Sequence, residues 1–321
     1  MARRSAAIAY IIGLPAGAFC SIIYCMSEAK RLRMRRMRRN FARAAPHYES
    51  SAVLSREVLT RMLERLALTK IAPQAVLDLG SGTRMAARAV AERYPGADIL
   101  ALDISAPMLQ QHSEHGPWQR AWRALSGSSR HHRVCADFEH LPLRAERFDL
   151  VVSNLALHWS EAASSVFAEV SRVLRTGGLF FFTTFGPDTL KELAQASADA
   201  SGTTPVHAFM DMHDLGDGLV ASGFADPVME MEQLTLTYER FDDLLRDLGG
   251  TGGLSTRSST GLRTPRWRAQ TAQRYERFRH DLRLPATFEL IYGHAWKAPA
   301  RPAADADGVA VIQFHPRRRS M

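Results

Sequence analysis

From residue 40 onward the apolar positions recur with two periods. Residues 40–68 place Phe41, Val53, Leu54, Val58, Leu59, Met62 and Leu66 at helical spacings, with Pro46 interrupting the early turns. Short apolar runs then alternate with amphipathic stretches. Residues 76–79, 99–103, 133–136 and 148–154 predict strands, and residues 85–94, 107–115 and 162–174 predict helices. Residues 179–185 read as a strand buried on both faces, as in a parallel sheet covered by helices. The alternation predicts an α/β fold, a doubly wound and mostly parallel sheet with helices on both faces. In such sheets ligands bind beyond the carboxyl ends of the strands, where the strand order reverses.

Residues 5–26 carry no charge, and a basic run from Lys30 to Arg39 follows. The apolar stretch is long enough to span a membrane, although Gly13, Pro15 and Gly17 weaken it as a helix. If inserted, its basic C-terminal flank would keep the domain in the cytoplasm, tethered to the inner membrane. The alternative is a start at Met26, Met34 or Met37. The expected organisation is therefore an extension over residues 1–39, a domain over 40–300 with an insertion at about 239–285, and a tail over 301–321.

The chain has 321 residues, 46% hydrophobic and 23% charged, a composition able to bury a full core. Its net charge of +8 invites a nucleic-acid reading until the charge is located. Nine basic residues against Glu28 alone put +8 within residues 1–39, which leaves zero for residues 40–321. The domain is not a polyanion binder on this ground, and no nucleic-acid partner is expected. Cys20, Cys25 and Cys135 form neither a disulfide framework nor a zinc set, so a cytoplasmic protein with no metal is expected.

The chemistry-bearing residues fall at the predicted strand ends. Residues 76–83, VLDLGSGT, read as a strand, a glycine turn and the start of a helix. Such a turn can bring backbone N–H groups to a ligand, or it can be only a tight turn. Asp103, about twenty residues on, can accept both hydroxyls of a ribose or cap the helix that begins after Ile104 and Ser105. Asp137 and Phe138 follow the third strand and Asn154 ends the fourth. Each is an ordinary turn or cap residue alone; the set at successive strand ends points to one ligand.

The ordered set VLDLGSGT, ILALDIS followed by PML, ADFEHLPL, FDLVVSNLALHW and VLRTGGLFFFTTF resembles class I S-adenosylmethionine-dependent methyltransferases. The resemblance covers roughly residues 40–300 and implies a Rossmann-like sheet of seven strands. It implies that Asp78, Gly80, Ser81 and Gly82 surround the methionine part of the cofactor, that Asp103 with Ile104 holds the ribose, and that Met108 and Phe138 pack on the adenine. Asp137 would bond the adenine amino group, and Asn154, the last of the cofactor-binding set, would stand toward the substrate face. Arg84 stands where that family usually has a third glycine. If the position needs left-handed torsions, arginine costs on the order of 1 kcal/mol there.

Outside this core, the stretch around NFARAAPHY, FFFTTFGPDTLKEL, FMDMHDLGDGLVASGFADP and TFELIYGHAWK resembles the malonyl-[acyl-carrier protein] O-methyltransferases of biotin synthesis. GPDTL and MHDLG also resemble complex I assembly hydroxylases of the same fold, and a non-catalytic binding module is a further alternative. The first resemblance implies methyl transfer to a malonyl carboxylate on acyl-carrier protein or coenzyme A, leaving S-adenosylhomocysteine. Tyr48 is then expected over the methyl group, with His158, Trp159, Phe185 and His207 as the substrate wall. Arg263 and Arg266, in a basic stretch over residues 254–301, are expected to meet the acidic carrier.

Overall fold

The computed structural model describes residues 28–111, 131–198, 204, 206–250 and 264–299. The alternation of sequence periods becomes a seven-stranded sheet in the order β3-β2-β1-β4-β5-β7-β6. The strands are β1 (Ala75–Leu79), β2 (Asp98–Asp103), β3 (His131–Cys135), β4 (Phe148–Asn154), β5 (Leu174–Phe185), β6 (Phe224–Tyr238) and β7 (Leu284–Lys297). The first five are parallel, and β7 runs antiparallel to both β5 and β6. The order reverses between β1 and β4, so the carboxyl ends of these two strands frame the crevice where such sheets bind ligands.

Alternate residues of the central strands feed two cores. Val76, Leu150, Val152, Leu179 and Phe181 point to one face, against helix α3 (Val53–Leu66) and helix α4 (Met85–Arg93). Leu77, Leu79, Val151, Phe180 and Phe182 fill the other, against α6 (Ala163–Val173) and α8 (Met212–Ala221). This period-two division buries both faces of the strands, which is why residues 179–182 are apolar without interruption. Between β6 and β7 lie α9 (Phe241–Gly250) and α10 (Pro265–Tyr275).

Several boundaries differ from the sequence reading: β3 spans His131–Cys135 rather than 133–136, the helix expected over 107–115 ends at Gln110, and residues 40–66 form several helical pieces rather than one. β5 begins at Leu174 rather than at 179, because Leu174 pairs with Phe148 before a register shift admits Arg175–Gly178. At the other end of the chain, helix α1 (Glu28–Ala44) runs through the expected boundary at residues 39 and 40. Its N-terminal turns are tied to the body, where Lys30 Nζ donates to Glu139 Oε2 at 2.5 Å and Arg33 Nη1 pairs with Glu161 Oε1 at 2.5 Å. The packed domain thus reaches back at least to Lys30. The apolar residues 5–26 and the tail 301–321 lie outside the described residues, among which no helix is long and apolar enough to cross a membrane.

Candidate active site

The turn after β1 is built around Gly80. Its φ of +72° favours glycine, and a Cβ there would stand 2.3 Å from Ala156 Cβ. The N–H groups of Gly80 and Ser81 donate to Leu102 O, each at 2.9 Å, and Gly82 N donates to Asp103 Oδ2 at 2.8 Å. The turn therefore uses its amides to lock β1 to β2 and does not hold them open for a ligand. The side-chain acceptors around the turn are carboxylates. Asp78 Oδ2 accepts from Ser81 Oγ at 2.7 Å and from Ala87 N at 2.9 Å, whereas Asp78 Oδ1 is buried with no hydrogen-bond partner among the described residues.

Burial in this cleft pushes the Asp78 carboxyl up to about 6, opposed by its two hydrogen bonds and assisted by the nearby Asp103. Asp103 is likewise raised by burial, against the backbone N–H groups of Ser105, Gly82 and Ile104 that hold its charged form. Two carboxylates with desolvation raising both make a cleft that favours a cation. Asp103 stays partly exposed at the end of β2, so its remaining lone pairs can accept from hydroxyls.

Apolar side chains flank the turn. Met108, on α5 (Ala106–Gln110), is 2% exposed, and its Cε would lie 3.5 Å from a Cβ on Gly82; Phe138 Cε1 would lie 3.9 Å from one on Gly80. Asp137 Oδ1 accepts from Glu139 N at 3.0 Å in the same loop. Asn154 lies at the end of β4 with both ends of its amide engaged. Its Nδ2 donates to Ser55 O at 3.0 Å and its Oδ1 accepts from Thr183 Oγ1 at 2.9 Å, so both ends of the amide brace β4 against α3 and β5. Arg84 takes the left-handed torsion the family pattern implies, with φ +68°, and its guanidinium donates to Gln111 O at 2.5 Å.

A cavity opens beside this cleft, and Tyr48, His158, Trp159, Phe185 and His207 all line it, together with Phe209 and Phe288. The rings contact one another: His158 lies 4.8 Å from Phe185 and 5.2 Å from Trp159, centroid to centroid, and Phe209 lies 5.5 Å from Phe185. Burial, aided by the nearby His207, holds the His158 imidazole down to about 3, so it is neutral at pH 7, and its Nδ1 is buried without a hydrogen-bond partner among the described residues. Tyr48 joins the two spaces. It faces the cavity, and its hydroxyl, raised by burial, bonds Ser55 and senses Asp103 and Glu49.

Sequence reasoning missed the residues that fix this junction. Glu49 Oε1 accepts from Thr83 Oγ1 at 2.7 Å and pairs with Arg88 Nη2 at 2.8 Å, which ties α2 (Tyr48–Ser51) to the glycine turn. Arg33 and Met37 of α1 also line the cavity, and Phe41 packs edge-on against Trp159 at 5.1 Å. The spacing of Met37 and Phe41, four residues apart, was the available signal. Of the two arginines expected at the carrier, Arg266 is exposed on α10 and Arg263 lies outside the described residues. Several neighbours in that basic stretch are already paired: Arg268 with Asp242, Arg279 with Glu276, and Arg283 with Glu239.

Residues 77–182, from β1 through most of β5, match a family model described as a methyltransferase domain. Among solved structures, the YcgJ protein of Bacillus subtilis has a TM-score of 0.51 at 15% identity, covering 75% of this chain and 99% of that one, a likeness of fold alone. The malonyl-[acyl-carrier protein] O-methyltransferase of Gallionella capsiferriformans (strain ES-2) is 48% identical over 280 residues, which is 86% of this chain and 94% of that protein. The protein of the same name from Methylovorus sp. (strain MP688) is 46% identical over 287 residues, 89% of this chain and 96% of its own. With such identity over nearly the full length of these relatives, the chain belongs to the malonyl-[acyl-carrier protein] O-methyltransferase family.

Proposed function

We propose that this chain transfers a methyl group from S-adenosylmethionine to the free carboxylate of a malonyl thioester on acyl-carrier protein, an early step of biotin synthesis. The observation that carries the reading is Tyr48, which stands where the carboxylate-lined cleft meets the aromatic cavity. The cleft fits the cofactor. The unpartnered Asp78 Oδ1 suits an ammonium group, the partly exposed Asp103 suits ribose hydroxyls, and Met108 and Phe138 offer an apolar slot for a flat base. When bound, S-adenosylmethionine supplies an electrophilic methyl group on a sulfonium.

The protein has little chemistry to add. A malonyl carboxylate is ionised at neutral pH, so one of its oxygens can form the new O–CH3 bond while the S–CH3 electron pair leaves with sulfur, and no proton moves. Orientation and exclusion of water are what remain. The walls formed by His158, Trp159, Phe185 and Phe209 exclude water, and neutral His158 carries an unpartnered Nδ1 for a polar atom of the substrate. Tyr48, held by Ser55 and by the Glu49 contacts to Thr83 and Arg88, is the positioning residue at the junction.

Arg266 and its basic neighbours would steer the acidic carrier to the cavity mouth. The double variant Arg263→Glu with Arg266→Glu is expected to raise KM for malonyl-acyl-carrier protein and leave malonyl-coenzyme A little changed. Equal losses on both substrates would remove the docking role, and failure of the unaltered protein to methylate either thioester would remove the reaction.

A further inference from the structure

A malonyl carboxylate entering this cavity needs a counter-charge. An ionised group surrounded by aromatic rings is strongly disfavoured unless it is paired and hydrogen-bonded. Among the described residues that line the cavity, Arg33 is the one that carries a permanent positive charge. His158 is held neutral by its burial, and Asp247, the carboxylate of the lining, already accepts from Tyr238 Oη at 2.8 Å.

We infer that Arg33 recognises the substrate's free carboxylate, which takes the place that Glu161 holds on its guanidinium. The inference rests on the proposed reaction and names the residue that selects its substrate. Arg33 reaches the cavity from α1, a helix anchored one turn earlier by the contact of Lys30 with Glu139. Its Nη1 holds Glu161 Oε1 at 2.5 Å, and its Nη2 donates to Trp159 O at 3.3 Å. The guanidinium is therefore positioned beside Trp159 with a carboxylate already on it.

That carboxylate is exchangeable. The Glu161 side chain is 37% exposed, so it can return to water, and ion pairs rimmed by solvent contribute little to stability. A substrate carboxylate inside the cavity competes on better terms, because a guanidinium pairs with it through two parallel hydrogen bonds and the surroundings are drier. The Trp159 carbonyl keeps the fork oriented during the exchange. Methylation then cancels the charge on which the contact depends. The ester loses its hold on Arg33, Glu161 returns, and the product leaves in preference to unreacted acid.

The test uses the full chain with S-adenosylhomocysteine present, and calorimetry of malonyl-coenzyme A against acetyl-coenzyme A, which lacks the free carboxylate. The unaltered protein is expected to prefer the malonyl thioester. Arg33→Gln should weaken malonyl-coenzyme A by roughly 10- to 100-fold and leave acetyl-coenzyme A unchanged, the range of a lost hydrogen bond to a charged group. In turnover the same variant should raise KM far more than it lowers kcat, and Arg33→Lys should restore part of the loss. Glu161→Gln should bind malonyl-coenzyme A as tightly as the unaltered protein or more so.

If Arg33→Gln leaves the malonyl preference intact, the inference is wrong. It is also wrong if Glu161→Gln reproduces the loss, since Arg33 would then serve only to clamp α1. Because the malonyl-to-acetyl difference is read without turnover, it separates this inference from the reaction itself, which is tested by methylation in the unaltered protein.

Discussion

Asp78→Asn should make the ligand-free protein more stable at neutral pH while disabling its cofactor cleft. Asp78 is 1% exposed, and burial raises its carboxyl from an ordinary 3.8 to about 6. The folded state therefore holds a proton that the unfolded state has released between those two values. For this group, stability falls as pH rises through that window and is constant above it. A displacement of about 2 pH units, at about 1.4 kcal/mol each, is a penalty of about 3 kcal/mol at pH 7.5. An asparagine oxygen can accept from both Ser81 Oγ and Ala87 N, and its amide group takes the position of the unpartnered Oδ1. Most of the penalty should thus disappear, raising the midpoint of thermal unfolding by several degrees. Melting curves of both proteins at pH 7.5 and pH 5 check the cause as well as the size, because the gap should shrink by about half at pH 5. S-adenosylmethionine should raise the midpoint of the unaltered protein and have little effect on the variant. A variant less stable at pH 7.5, or a gap of the same size at both pH values, would show that buried charge on Asp78 does not limit stability.

Three further substitutions probe the same cleft. Asp103→Ala should weaken S-adenosylmethionine by about 1.5–3 kcal/mol in calorimetry, through loss of charge-assisted hydrogen bonds to the ribose; unchanged affinity would remove Asp103 from the site. Gly80→Ala combines a left-handed torsion with a Cβ 2.3 Å from Ala156 and should cost about 2–4 kcal/mol in urea unfolding, so a neutral result would show that the turn relaxes. Arg84→Gly removes a left-handed arginine and should leave cofactor affinity unchanged or slightly improved; a tenfold fall would identify Arg84 as a ligand.

The central sheet was legible because its strands repeat with a short period inside a long alternation. Phe148–Asn154 has the expected limits, since a continuous apolar run, Leu150–Val152, buried on both faces, ends at the polar Ser153 and Asn154. The Gly177–Gly178 pair hid the start of β5, because glycines there read as a turn and not as a bulged strand. Helix α1 was obscured for a different reason. Its arginines dominate a composition that resembles a solvated tail, and the partners that show it is packed, Glu139, Glu161 and Trp159, lie more than a hundred residues away. The same limit applies to the site. Tyr48 and the four residues expected as the substrate wall line one cavity. The bond partners that turn Asn154 to bracing and Glu49 to anchoring come from other elements, Ser55, Thr183, Thr83 and Arg88, which local sequence does not bring together.

Mass spectrometry of the substrate would show whether a free carboxylate beside Tyr48 is methylated. The purified chain would be incubated with malonyl-acyl-carrier protein and S-adenosylmethionine labelled in its methyl group. One labelled methyl per malonyl group is expected, removed by mild alkali as an ester is, with no label on acetyl-acyl-carrier protein. Label that resists alkali, label on the acetyl carrier, or no label while the cofactor still binds would contradict methylation of that carboxylate.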